Sequence, residues 1–173
     1  GMANGYPISA VAGRKDVMIL MEDIFFSGTF AGETLSLAAT KAVLTKINTE
    51  NVLPHIHAMG ERLLDGLQQI LSDMGKPNWL KLCGHPSWSF LQILDCAPYS
   101  SWQLKSLFLQ EMTQRGMLLG GGHNLNYSHQ NEDINALLSA YREVLPLLAK
   151  TIIQQSFEQA FRGKVLQPLF KVR

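Results

Sequence analysis

The chain is poor in cysteine, holding only Cys83 and Cys96. A pair this sparse excludes a disulfide-built scaffold, and both are expected to be small core residues. It has no surplus of either charge. Fifteen Lys and Arg stand against fourteen Asp and Glu, a formal net charge of +1. Without a basic stripe or an acidic tail, nucleic acid is not an expected partner. No apolar run reaches the ~18 residues that a membrane span needs, so no membrane association is expected. No basic segment followed by an apolar one marks an export signal, which makes the cytoplasm the expected compartment. Gly1 before Met2 reads as a cleavage scar, placing the native start at Met2.

What is present suits a buried core: 46% of the 173 residues are hydrophobic. That length fits one domain plus part of another. Residues 6–12 (YPISAVA) form a short β-branched and apolar run and predict a buried strand closed by Gly13. An amphipathic turn is expected over Lys15–Met21, and a second short strand over Ile24–Phe26. From Glu33 the period changes. Leu35, Ala38, Ala39, Ala42, Val43 and Ile47 fall at three- and four-residue steps and predict one buried helical face. Asn51 is the expected N-cap of a second helix, with Pro54 in its first turn and a stripe of Ile56, Met59, Leu63, Leu67 and Ile70. Strands are expected at Trp79–Cys83 and Ser87–Leu94. Ser100 and Gln103 form a capping-box pattern ahead of a third helix ending at Gly116. Short strands at Met117–Leu119 and Asn124–Tyr127 flank Gly120-Gly121-Gly122. The last helix starts near Asn131, is expected to kink or break at Pro146 and to resume through Phe161. The second half is thus a compact α+β unit, a small antiparallel sheet with helices on one face, while the first fifty residues read as an excerpt of a larger α/β sheet.

Two glycine-bearing loops invite a chemical reading. In FFSGTFAGET, Gly28-Thr29 offers backbone N–H groups and a hydroxyl ahead of a helix, the parts of a phosphate site. A plain strand–turn–helix corner has the same spacing. No Gly-Lys-Ser/Thr follows, so it is not a P-loop. The glycine triplet at 120–122 precedes a strand-like segment and reads as a hairpin loop. His123 and Asn124 after it are candidates for the substrate side, with a hairpin role as the alternative. His55 and His57 lie two apart on a helix and face different ways, and Cys83 with His85 supplies only two ligands, so no metal site is expected. No Gly-x-Ser-x-Gly elbow is present.

Two stretches carry a family resemblance. Met2–Arg14 (MANGYPISAVAGR) resembles the segment just after the cofactor lysine in class-III pyridoxal-phosphate-dependent aminotransferases. Ser27–Ser36 (SGTFAGETLS) resembles their Gly-Thr phosphate loop and the helix that follows. The segments His123–Ile134 and Val165–Arg173 resemble the endings of glutamate-1-semialdehyde 2,1-aminomutase-like enzymes. The resemblance covers nearly all of this chain but only the C-terminal part of a family member. It implies a fold-type-I transferase, with residues 1–50 the end of the large domain and its linking helix, and 51–173 the small C-terminal α+β domain. It implies that Gly28 and Thr29 bind the pyridoxal phosphate, reaching across to the partner subunit of a homodimer. The family's Schiff-base lysine would stand immediately before Met2, where this sequence has Gly1, and Lys15 is the nearest lysine. No catalytic residue is therefore assigned. The expectation is a partial aminotransferase or aminomutase that is inactive alone and does not bind the cofactor by itself. The alternative is a non-catalytic dimerisation or interaction module, or one half of a two-chain enzyme with a separate N-terminal portion.

Overall fold

A computed structural model describes residues 1–168. The resembling stretch Val165–Arg173 runs past that limit, and its last five residues lie outside those described. The chain divides into two compact units, Gly1–Leu53 and the remainder from Pro54.

In the first unit, residues 6–12 carry no regular secondary structure, and neither do residues 24–26, so the two predicted strands are not formed. Apolar, β-branched composition supplies a preference for extended backbone, but a strand exists only when a neighbour takes its hydrogen bonds. The expected turn is present as helix α1 (Lys15–Met18) followed by a 3₁₀ turn at Ile19–Glu22. Helix α2 (Thr34–Thr49) stands where its period placed it. Its predicted inward face is not buried: Leu35 is 66% exposed, and the buried residue is Ser36.

From Val52 onward the amphipathic pattern is followed closely. Helix α3 (Val52–Asp73) has Pro54 in its first turn, where no intrahelical N–H bond is lost. Leu63 and Leu67 on its stripe are fully buried. Strands β1 (Leu80–His85) and β2 (Trp88–Ile93) pair antiparallel, with Leu82 opposite Leu91 and Leu80 opposite Ile93. These four side chains belong to, or pack on, the helical core. Helix α4 (Ser101–Gln114) opens with the expected capping box: the Ser100 hydroxyl accepts from the Gln103 N–H, and the Gln103 side chain accepts from the Ser100 N–H. Strand β3 is only His123–Asn124, pairing antiparallel with β2 to give the order β1-β2-β3. No strand forms at 117–119.

Helix α5 (Asn131–Gln154) is continuous through Pro146. The proline removes one hydrogen bond, from its own nitrogen to the Arg142 carbonyl. Both residues are exposed, so water can satisfy the freed carbonyl and the helix continues. The chain turns instead at Gln155, which is left-handed with φ of 51°, before the short helix α6 (Phe157–Ala160). Leu104, Leu107, Met112, Tyr141, Val144, Leu145 and Leu148 from α4 and α5 close the core with Phe157. No helix of the described residues is long and apolar enough to cross a membrane.

Candidate functional site

The loop ahead of α2 is built from two successive tight turns. The Ala31 N–H donates to the Gly28 carbonyl at 3.1 Å, and the Glu33 N–H donates to the Phe30 carbonyl at 3.1 Å. Gly32 takes φ of +78°, a conformation a side chain would strain. A Cβ on Gly28 would meet nothing within 4 Å, so its backbone is open to a ligand. Gly28 and Thr29 are both exposed and adjacent. Among the described residues the Thr29 hydroxyl and the N–H groups of Gly28 and Thr29 have no internal hydrogen-bond partner.

The helix end itself is taken. The Glu33 carboxylate accepts from the N–H groups of Leu35 and Ser36 as the N-cap of α2. Hydrogen bonds from Ser36, then Leu35, hold this carboxyl below the usual carboxylate range. The anion-attracting terminus that the spacing suggested is thus capped internally. What remains for a phosphate is the donor set of the loop: two backbone N–H groups and one hydroxyl. That chemistry fits an oxyanion rich in acceptors.

The second unit holds a polar arrangement that the spacing did not reveal. The buried His123 ring lies 2.9 Å by its Nδ1 from the Ser89 hydroxyl and 2.6 Å by its Nε2 from the Tyr141 hydroxyl. β3 supplies the histidine, β2 the serine and α5 the tyrosine. Burial pulls His123 down to about 4 and pushes the Tyr141 phenol up. The ring is therefore neutral near pH 7 and carries one N–H. Placing it on Nδ1, toward Ser89, lets the Tyr141 O–H donate to Nε2 and satisfies both aromatic groups. Ser89, His123 and Tyr141 are 34 and 18 residues apart along the chain; the β2–β3 register joins the first two, and the packing of α5 brings in the third.

The other sequence candidates separate. His55 Nε2 meets the His129 carbonyl at 2.8 Å, while His57 faces Glu61 and packs edge-on to His85. Asn124 lies in β3, opposite Trp88. Gly28 and Thr29 stay together in the first unit, and His123 and Asn124 belong to the second.

Residues 1–84 match the class-III aminotransferase family. Over 83% of its length the chain is 23% identical to the glutamate-1-semialdehyde 2,1-aminomutase of Halorubrum lacusprofundi, covering 41% of that protein. Over 85% of its length it is 27% identical to the aminomutase of the same name from Desulfitobacterium hafniense, covering 37% of it. A shorter stretch, 43% of the chain, is 34% identical to the acetylornithine aminotransferase of Halalkalibacterium halodurans. Among solved structures, the Sphingopyxis FumI protein in its PLP internal aldimine form superposes with a TM-score of 0.72 over 88% of this chain and 36% of that one, at 24% identity. A transaminase with PLP bound gives a TM-score of 0.71 at 22% identity. These neighbours share the fold, that of fold-type-I PLP-dependent transaminases. The chain spans about two-fifths of the length of the curated aminomutases it matches.

Proposed function

We propose, from the premise that this chain is class-III aminotransferase sequence over residues 1–84, that it supplies the phosphate-binding loop and the C-terminal domain of an aminotransferase or aminomutase of the glutamate-1-semialdehyde type. The observation that carries the reading is the Gly28-Thr29 turn. It falls inside the matched stretch and holds unpaired N–H and hydroxyl donors just ahead of α2. In this reading Gly28 and Thr29 bind the phosphate of pyridoxal phosphate. The cofactor, when bound, supplies the electron sink for amino-group chemistry. The loop would supply position: a phosphate held by its three donors would keep the rest of the cofactor in one place.

The chain spans two-fifths of its curated relatives, and the reading assigns the catalytic lysine to sequence outside it. Alone, it is then inactive. Mixing the pure chain with pyridoxal phosphate, reducing with borohydride and mapping peptides by mass checks this. The expected result is no stoichiometric label on any single lysine. Specific labelling of one lysine, Lys15 above all, overturns the claim.

Exposed apolar side chains in the first unit favour a second reading, assembly. Phe25 is 96% exposed, and Phe26, Phe30, Leu35 and Leu37 are exposed with it. Apolar surface of this kind is characteristic of an interface. The partner is a second copy or a separately made N-terminal portion. Light scattering on the pure chain is expected to show a dimer or larger species. A strictly monomeric chain at high concentration counts against the reading.

A further inference from the structure

A cleft of about 840 Å³ opens along the outer edge of β2 and lies wholly within residues 88–141. That volume is in the range of small-molecule sites. It forms because β3 is too short. The Leu94 N–H bonds to the Trp79 carbonyl, so even-numbered residues of β2 turn toward β1 and odd-numbered ones turn outward. Ser89 meets β3 on that outer side. Leu91 and Ile93 have no strand beyond them among the described residues, and both line the cleft. The chain before His123 leaves the sheet instead of pairing on, and its glycines cross toward α4. A Cβ placed on Gly121 would stand 3.9 Å from the Lys105 Nζ.

Lys105 is the charged group of this cleft. It is half-buried, and no carboxylate of the described residues pairs with it. Its Nζ stands over the Trp102 ring, 5.9 Å from the centroid. No Asp or Glu lines the cleft. His123 and Tyr141 reach its wall, but their polar atoms are engaged with each other and with Ser89. An ammonium at a cleft wall with no protein carboxylate beside it can pair with an incoming anion. Trp88 and Phe90 form a tilted aromatic pair at the same cleft, with centroids 5.5 Å apart and Trp88 60% exposed.

We propose that this cleft binds an organic anion with a flat apolar body, its charge at Lys105 beside the bare Gly120–Gly122 backbone and its body against Trp88 and Phe90. Gly121 has φ of +105°, which a side chain would strain, and a Cβ on Gly122 would meet the Phe90 ring at 2.7 Å, so the loop stays bare beside the ammonium. The proposal is independent of the phosphate-loop reading: Gly28 and Thr29 belong to the other unit, so either can fail alone.

The test titrates the full chain with naphthoate, naphthyl phosphate and uncharged naphthylmethanol, following backbone amides by NMR and affinity by calorimetry. Saturable shifts at Gly120–Gly122 and the Trp88 indole are expected with an anion, and at least about tenfold weaker binding of naphthylmethanol. Whichever anion binds tighter identifies the charged group as carboxylate or phosphate. Lys105→Gln is expected to weaken anion binding by about tenfold while leaving naphthylmethanol unchanged, and Lys105→Arg to restore it. An unchanged amide spectrum away from the cleft shows that the variants are folded. Absence of saturation, equal binding of the uncharged probe, or unaltered anion binding in Lys105→Gln overturns the proposal.

Discussion

Replacing Gly60 with alanine is expected to destabilise the chain by roughly 2–3 kcal/mol, although alanine is the better helix former. Gly60 is buried in α3, and the turn between β1 and β2 lies directly on it. A Cβ there would stand 2.0 Å from the Pro86 carbonyl oxygen and 2.3 Å from its carbon. Both are backbone atoms, so relief requires moving the hairpin off the helix. The intrinsic gain from glycine to alanine in a helix, about 1 kcal/mol, is smaller than that cost. For a chain of this length the melting temperature should fall by roughly 5–10 °C. Gly66 on the same helix is the internal comparison. Its added Cβ would meet the Leu138 methyl carbons at 2.5 and 2.7 Å, which are side-chain atoms and can shift by a change of rotamer without moving backbone. Gly66→Ala should therefore cost less than Gly60→Ala. Thermal unfolding of both checks the order, and a Gly60→Ala protein melting at or above the parent refutes the close contact.

Acid is expected to weaken the fold well before its carboxylates titrate. His123 is ordinary at 6.5 when unfolded and falls to about 4 when buried. Above pH 6.5 the ring is neutral in both states and contributes no pH dependence. Between 6.5 and 4 the unfolded chain takes up a proton that the folded chain refuses, so stability falls as pH falls. The full difference corresponds to roughly 3 kcal/mol, complete near pH 4. Urea unfolding at pH 7.5, 5.5 and 4.5 would trace the loss. His123→Gln keeps a donor and an acceptor at the site but removes the titration. It should be less stable than the parent at pH 7.5 and show a flatter profile between 6.5 and 4. An unchanged profile would assign the effect elsewhere.

What could be read beforehand divides by how local its cause is. α3 and α4 were legible because stripe and cap lie within a few residues of each other: Leu63 and Leu67 at i and i+4, Ser100 with Gln103. The β1–β2 hairpin was legible for the same reason. Residues 6–12 and 117–119 were misread as strands because partners, not composition, make a strand, and theirs are absent among the described residues. The period of α2 was right, but its buried side was not, since Leu35 is exposed and Ser36 is inside. Which face is covered depends on what lies against it, and periodicity is silent on that. At the Gly28-Thr29 loop the sequence shows a glycine and a hydroxyl ahead of a helix, but not that Glu33 occupies the positive end of that helix. The Ser89–His123–Tyr141 chain was invisible because it needs three elements in register.

The capped start of α2 also bears on selectivity. A bare helix terminus accepts nearly any small anion, including those of the surrounding buffer. Here a permanent internal carboxylate stands in that seat. Chloride or acetate would have to displace Glu33 and bring nothing further to hold itself. A ligand that settles on Gly28 and Thr29 instead leaves the cap undisturbed, and the remainder of its own molecule can add contacts. In the proposed reading, a phosphate-bearing ligand therefore meets the loop donors and not the helix end.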